Sequence, residues 1–308
     1  MGNYSLTHCL VPAALAFATA AQAVPPSLHE IPLLDCSGLP CVELATASGK
    51  TLKLLIDLGS VNAYLDSKAA QNAGLPLQEL KGGNAAVQET TVAGARLGDL
   101  PLGDFPFMVL DTSPELAAPG SKKSLPLPAD GALAFGAFQN RLLQLDFTKR
   151  VIRVSEPENE SADCPHVCGD LIRQRMGQYG PATLTATGFE VNGQPVTAQI
   201  DTLFTGTMLI YPRSVERLGL KKASKTKSKD EFPYIQSGLK LGHSDGFALS
   251  FRGTALMPDG PLYFWSAKEE APPSVTFDAT VGTALLSRGI VTFEFKGMHF
   301  WIDAGMGY

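Results

Sequence analysis

Two stretches decide the fold: LKLLIDLGSVNAYLDSKAAQNAGL, residues Leu52–Leu75, and VTAQIDTLFTGTMLIYPRSVERLGL, residues Val196–Leu220. Each opens on an apolar run that ends in an aspartate at a turn. Each then continues into a second apolar run and closes on a short helical signal that stops at Gly-Leu. Short apolar runs bounded by Gly, Asn and Asp read as strands, and a glycine closing the helical signal suits a helix C-terminus. From the aspartate to the closing glycine is 17 residues in the first copy and 18 in the second. Farther along, ALAFGAFQNRLLQLDFTKRVIRV (Ala132–Val154) aligns without a gap to TVGTALLSRGIVTFEFKGMHFWI (Thr280–Ile302). Asp57 to Ala134 spans 77 residues, and Asp201 to Gly282 spans 81. A single Asp turn is uninformative because such turns are common. A two-part pattern recurring at matching distance marks an internal repeat.

The surrounding chain fits a mainly β protein. Strands are expected at Leu52–Ile56, Phe105–Leu110, Leu142–Phe147, Val151–Val154, Val196–Ile200, Phe247–Phe251, Ile290–Phe295 and His299–Ile302. Helices are expected only at Ser67–Ala73 and Arg213–Leu218. With 30 Gly, 22 Pro and 18% charged residues in 308, the composition favours a turn-rich β protein over a helical bundle or a disordered chain. The length suits two compact domains and buries enough surface to fold without metal. A net charge of −5 argues against bulk binding to nucleic acid or anionic lipid. The basic run Lys221–Lys229 reads as a solvated loop.

Residues 1–23 read as an export signal: the apolar run Leu10–Ala21 ends at Ala21-Gln22-Ala23, too short to span a bilayer. Cleavage after Ala23 leaves four cysteines in two close pairs, Cys36 with Cys41 and Cys164 with Cys168. An even count in an exported chain favours two local disulfides. A zinc site drawing on Cys164, His166 and Cys168 with one cysteine of the first pair is the alternative, and we expect no metal. The polar segment 155–170 reads as a linker between a first lobe, 24–154, and a second, 171–308.

At the level of motifs, the chain resembles the bilobal aspartic proteases of the pepsin and retropepsin superfamily, in their bacterial exported form. There each lobe carries two hydrophobic residues and Asp-Thr-Gly-Ser/Ala, and later a hydrophobic–hydrophobic–Gly strand that crosses beneath the Asp loop. Here the first lobe offers Leu55-Ile56-Asp57-Leu58-Gly59-Ser60 and then Ala132-Leu133-Ala134. The second offers Gln199-Ile200-Asp201-Thr202-Leu203 and then Thr280-Val281-Gly282. The resemblance implies two β-barrel lobes with a few short helices; since both lobes sit in one chain, a monomer with a cleft between them is expected, and the export signal points to a periplasmic or secreted location. It implies an endopeptidase acting on peptide or unfolded protein through Asp57 and Asp201, without cofactor or membrane span. Two carboxylates held close share one proton; one serves as base on water while the other donates to the scissile carbonyl. In that scheme Gly59 gives its N–H to the carboxylate, the Ser60 hydroxyl bonds the outer oxygen, Thr202 supports the second loop, and Asn84–Gly94 forms the hairpin over the substrate.

Four positions depart from the pattern. Leu58 stands where the family has the Thr that locks the loops, Leu203 where it has Gly, Phe204 where it has Ser or Ala, and Ala134 where it has Gly. Half of the cross-lobe hydrogen bonding is expected to be missing, and the second turn is expected to be crowded. These changes define the alternative function, an exported module that binds peptide or protein without turnover. A serine-type hydrolase is disfavoured because no Gly-x-Ser-x-Gly occurs.

Overall fold

The computed structural model describes residues 28–79, 87–112, 127–156, 167–175, 182–220, 241–244, 247–256, 260–265 and 276–304. The export-signal region, Cys164, His166 and the basic run 221–229 lie outside them. Among the described residues the protein is mainly β, with a few short helices, and its strands form one sheet of eight and one of fourteen.

Both lobes are built on the same four-strand arrangement. In the first, Thr51–Asp57 pairs in parallel with Gly131–Ala134, which pairs antiparallel with Tyr64–Asp66, itself parallel to Leu100–Leu110. In the second, Gln194–Ile200 pairs in parallel with Ala279–Val281, which pairs antiparallel with Met208–Ile210, itself parallel to Leu262–Trp265. The aspartate turns therefore join two strands that flank a third, and that third strand passes between them. Register places Asp57 beside Ala134, and the Asp201 N–H donates to Val281 O at 3.0 Å.

Matching side-chain clamps hold both crossings. The Asp130 carboxylate accepts from Lys53 N at 2.8 Å and its amide donates to Lys53 O at 2.7 Å. Asp278 does the same with Thr197, at 3.1 and 2.8 Å. Each clamp sits four residues before its turn aspartate, so the middle of each Asp strand is tied to the start of the crossing strand.

Each turn strand leads into a short helix. Asp66 caps Ser67–Asn72 by accepting from Lys68 N at 2.9 Å, as expected of an N-cap carboxylate. Pro212 opens Pro212–Val215, where its missing N–H costs nothing. The helix expected over Arg213–Leu218 is shorter, with residues 216–219 forming a turn.

The lobes meet through a six-strand array in the order Leu28–Pro32, Val151–Ser155, Leu142–Asp146, Gly289–Glu294, His299–Ala304, Gly169–Arg175. At its centre Leu142–Asp146 runs antiparallel to Gly289–Glu294 with Gln144 opposite Thr292. These two residues are also counterparts in the gap-free alignment, so the halves face each other about a local two-fold axis. Their side chains meet, Gln144 Nε2 donating to Thr292 Oγ1 at 3.3 Å. Buried aromatics extend the junction into both lobes: Phe295 stacks on Phe135 at 6.1 Å, and Phe300 packs on Phe189 at 5.7 Å.

Cys36 and Cys41 form a disulfide that closes the hairpin of Leu34–Cys36 and Leu39–Ala45. Neither sulfur is therefore a thiolate ligand for zinc. Cys168 is disulfide-bonded as well; its expected partner Cys164 lies outside the described residues. The segment read as a linker is partly ordered into strands, since Ser155 closes one strand and Gly169 opens another.

Candidate functional site

Asp57 closes its strand and Asp201 directly follows its own, both where the lobes face each other. A methyl group built on Gly59 would stand 3.1 Å from Asp201 Cγ, 3.3 Å from Asp201 Oδ1 and 3.3 Å from Asp57 Oδ1. Both carboxylates thus converge on the bare α-carbon of Gly59, and a side chain there would displace them. Asp57 is only 7% exposed.

Each carboxylate is cradled by its own turn. Gly59 N donates to Asp57 Oδ1 at 3.0 Å and Leu203 N to Asp201 Oδ1 at 2.9 Å. The amides of Ser60 and Phe204 act on the two carboxylates as well, Phe204 N donating also to the Asp201 carbonyl at 3.2 Å. These donors favour the charged forms, yet burial prevails. Burial first and the neighbouring Asp201 charge second push Asp57 from its ordinary 3.8 up to about 7. Asp201 is raised as well, by burial. Two acids with raised proton affinity side by side favour one shared proton over two charges.

The altered turns behave differently from the sequence-based expectation. Leu203 does not crowd the second turn out of register, because its backbone is not left-handed and its N–H reaches Asp201 Oδ1. Its side chain packs across the lobe boundary on the cluster of Cys36, Leu39, Cys41, Leu55 and Ala132. Phe204 is fully buried, its ring set edge-on to Tyr263 at 6.3 Å. Gly206 makes that placement possible, since a methyl there would lie 2.4 Å from the Phe204 ring. Ser60 also departs from the expected role: its hydroxyl donates to Asn62 O at 3.3 Å rather than to the carboxylate, leaving its amide as the donor to Asp57. Ala134 is buried at 1% exposure beside Asp57, so its extra methyl is accommodated.

The cross-lobe lock is one-sided. Leu58 N donates to Thr202 Oγ1 at 3.0 Å, and the Thr202 hydroxyl donates to Ile56 O. Leu58 has no hydroxyl to return the contact and instead joins the apolar core at 0% exposure. Further hydrogen bonds to the first turn also come from the second lobe: Thr183 Oγ1 donates to Gly59 O at 2.7 Å, and Gln199 Nε2 approaches the same oxygen at 3.4 Å. Replacing Thr202 by Val strips the buried Leu58 amide of its acceptor, at a cost of about 2 kcal/mol. Urea unfolding of Thr202→Val against wild type measures this loss, and a change within error refutes the assignment.

Beside the first turn lies a hollow of about 450 Å³, lined by Val61, Gln78, Glu89, Phe105 and Gln139 with Arg173 from the second lobe. Part of its wall is the pairing of Gln78–Glu79 with Gln88–Leu97. The hairpin expected over Asn84–Gly94 is therefore displaced. Residues 88–94 run inside a strand, and the connection to its partner falls at 80–87, of which 80–86 lie outside the described residues.

No model of a known protein family matches the sequence, and no curated protein matches it. Among solved structures the chain is similar to an aspartic proteinase from Irpex lacteus, at 11% identity and a TM-score of 0.49, covering 91% of this chain and 99% of that one. It is similar to the basic 7S globulin of soybean at 12% identity and a TM-score of 0.47, covering 91% and 96%. It is also similar to conglutin gamma from lupine seeds at 13% and 0.47, covering 89% and 94%.

Proposed function

We propose that the protein is an aspartic-type endopeptidase in which Asp57 and Asp201 share a proton and activate water against a peptide bond. The observation that carries this reading is the convergence on Gly59 of two carboxylates with raised proton affinity, Asp57 buried and Asp201 partly so, each held by amides of its own turn. In the proposed cycle the ionised carboxylate takes a proton from water as the water attacks the scissile carbon. The protonated carboxylate gives its proton to the carbonyl oxygen; as the gem-diol collapses, the proton taken from water passes to the departing amine and the other carboxylate takes one back from a gem-diol hydroxyl, restoring the singly protonated pair. No covalent intermediate is formed. The hollow beside the Asp57 turn offers room for substrate side chains, and the protein acts as a monomer, since each lobe supplies one aspartate. Export is supported by the Cys36–Cys41 disulfide, because such bonds persist in oxidising compartments. Among the described residues no helix is long and apolar enough to cross a membrane.

A second reading, binding without turnover, is favoured by one observation: the Ser60 hydroxyl is spent on Asn62, and Phe204 provides none at the matching position. Hydrolysis of an unfolded protein substrate by wild type, Asp57→Asn and Asp201→Asn, followed from pH 3 to pH 8, separates the two. The peptidase reading expects cleavage by wild type that fades as pH rises through about 7, where Asp57 loses the shared proton, and background rates in both variants. Equal rates in all three proteins, with peptide still bound, establish the binding module instead.

A further inference from the structure

A chain of buried polar side chains runs through the second lobe and ends on the first lobe's aspartate turn. Its members are Tyr211, Thr280, Gln199 and Thr183, all less than one-tenth exposed. Tyr211 OH meets Thr280 Oγ1 at 3.2 Å, and Thr280 Oγ1 donates to Gln199 Oε1 at 3.2 Å. Gln199 Nε2 donates to Thr183 Oγ1 at 2.9 Å, and Thr183 Oγ1 donates to Gly59 O at 2.7 Å. The proton positions follow from the two ends. A carbonyl only accepts, so the single Thr183 hydrogen points at Gly59 O. The Gln199 amide must then present nitrogen to Thr183 and oxygen to Thr280, which leaves the Tyr211 hydroxyl as donor to Thr280. Every donor points toward the first lobe.

The acceptor at the end of this chain is half of a rigid unit. Gly59 C=O and Ser60 N–H belong to one planar peptide group and point in opposite directions. Fixing the oxygen fixes the N–H, and a hydrogen bond on the oxygen polarises it. That N–H is one of the two donors to Asp57. We propose that Thr183 and Gln199 are positioning residues of the carboxylate pair: by clamping Gly59 O from the second lobe they aim Ser60 N–H at Asp57, and so stand in for the hydroxyl that Leu58 lacks. The inference rests on the reading of Asp57 and Asp201 as a proton-sharing pair. Strand geometry suits the role. Thr185 pairs with Gln199 across Ala182–Val191 and Gln194–Ile200, so continuing that register sets Thr183 opposite Asp201. The charged group acting on Asp57 is Asp201, which also acts on Tyr211 at the far end of the chain.

The test reads the titration of the pair by 13C NMR on protein labelled at aspartate Cγ, with the Asp57 signal assigned by its loss in Asp57→Asn. Thr183→Val removes the donor at nearly constant volume, and Thr183→Ser keeps it. Loosening an amide that favours the carboxylate moves the upper midpoint of the pair upward, by about half a pH unit or more in Thr183→Val, while Thr183→Ser titrates as wild type. A purely structural role lowers stability without moving the midpoint, and an unmoved midpoint in Thr183→Val overturns the inference. Should that variant not fold, Gln199→Leu carries the same comparison. Peptide hydrolysis in the same samples keeps the two readings apart. A wild type that cleaves nothing while the midpoint shifts in Thr183→Val removes the peptidase reading and leaves the positioning role. An active wild type with unmoved midpoints in the variants removes the positioning role alone.

Discussion

Asp57→Asn is expected to melt roughly 10 °C above wild type at pH 8 and within a few degrees of it at pH 4. The sign follows from proton binding. The folded Asp57 carboxyl holds its proton up to about pH 7, whereas the unfolded one releases it near 3.8. Between those values the folded state binds more protons than the unfolded state, so wild-type stability falls as pH rises, by up to about 4 kcal/mol across three pH units. Below 3.8 both states are protonated and the contribution is fully present; above about 7 it is lost. Asparagine cannot ionise, so the variant escapes this decline, and its amide faces Asp201 with a donor in place of a second acid. Groups that do not interact with Asp57 cancel in the difference between the two proteins; Asp201, its coupled partner, contributes to the difference together with it. Calorimetry of both at pH 4 and pH 8 gives the answer. A gap of the same size at the two pH values would mean that Asp57 is not held protonated by the fold, and the proton-sharing pair would go with it.

The same carboxylates show how far the sequence could be read. Asp57 and Asp201 stood out because the elements around each recur in order, and the strand crossings obey that order down to the Asp130 and Asp278 clamps. Local patterning is sufficient there, since an apolar run that ends in a turn aspartate specifies strand and turn together. The consequence of the altered residues was not legible. Leu203 and Phe204 read as obstruction because a motif records which side chain is present, not where it goes. One sends its side chain to the neighbouring lobe's disulfide hairpin and the other into its own core. A trace of the second outcome was available: Gly206 follows Phe204 by two residues, and only a residue without a side chain leaves the ring its place. The relay from Tyr211 to Thr183 left no trace. Its four members come from four separate elements, and only the pairing of strands distant in the chain brings them into one line.

Gly282 and Ala134 occupy corresponding positions beside the two aspartate turns, and exchanging their types is expected to have opposite consequences. A methyl on Gly282 would stand 2.3 Å from both Phe204 O and Gly206 O and 2.6 Å from Phe204 Cδ1. Two of these atoms are backbone of the Asp201 turn and cannot rotate away, so the turn itself must move. That movement breaks the bonds joining crossing strand and turn, Thr283 N to Phe204 O at 2.7 Å and Gly282 N to Thr207 O at 3.1 Å. The first lobe is set wider at this point, Phe135 N reaching Ser60 O only at 3.3 Å, which is why Ala134 keeps its methyl in a fully packed site. Gly282→Ala is therefore expected to lose more than about 4 kcal/mol, the range reached when packed backbone is forced apart. Ala134→Gly is expected to lose about 1–2 kcal/mol, from one buried methyl and the added freedom of the unfolded chain. Urea unfolding of the two variants against wild type measures both. If Gly282→Ala unfolds at the same urea concentration as Ala134→Gly, the close approach of crossing strand and turn in the second lobe is wrong. The placement of Asp201, which hangs from that turn, would then have to be revised with it.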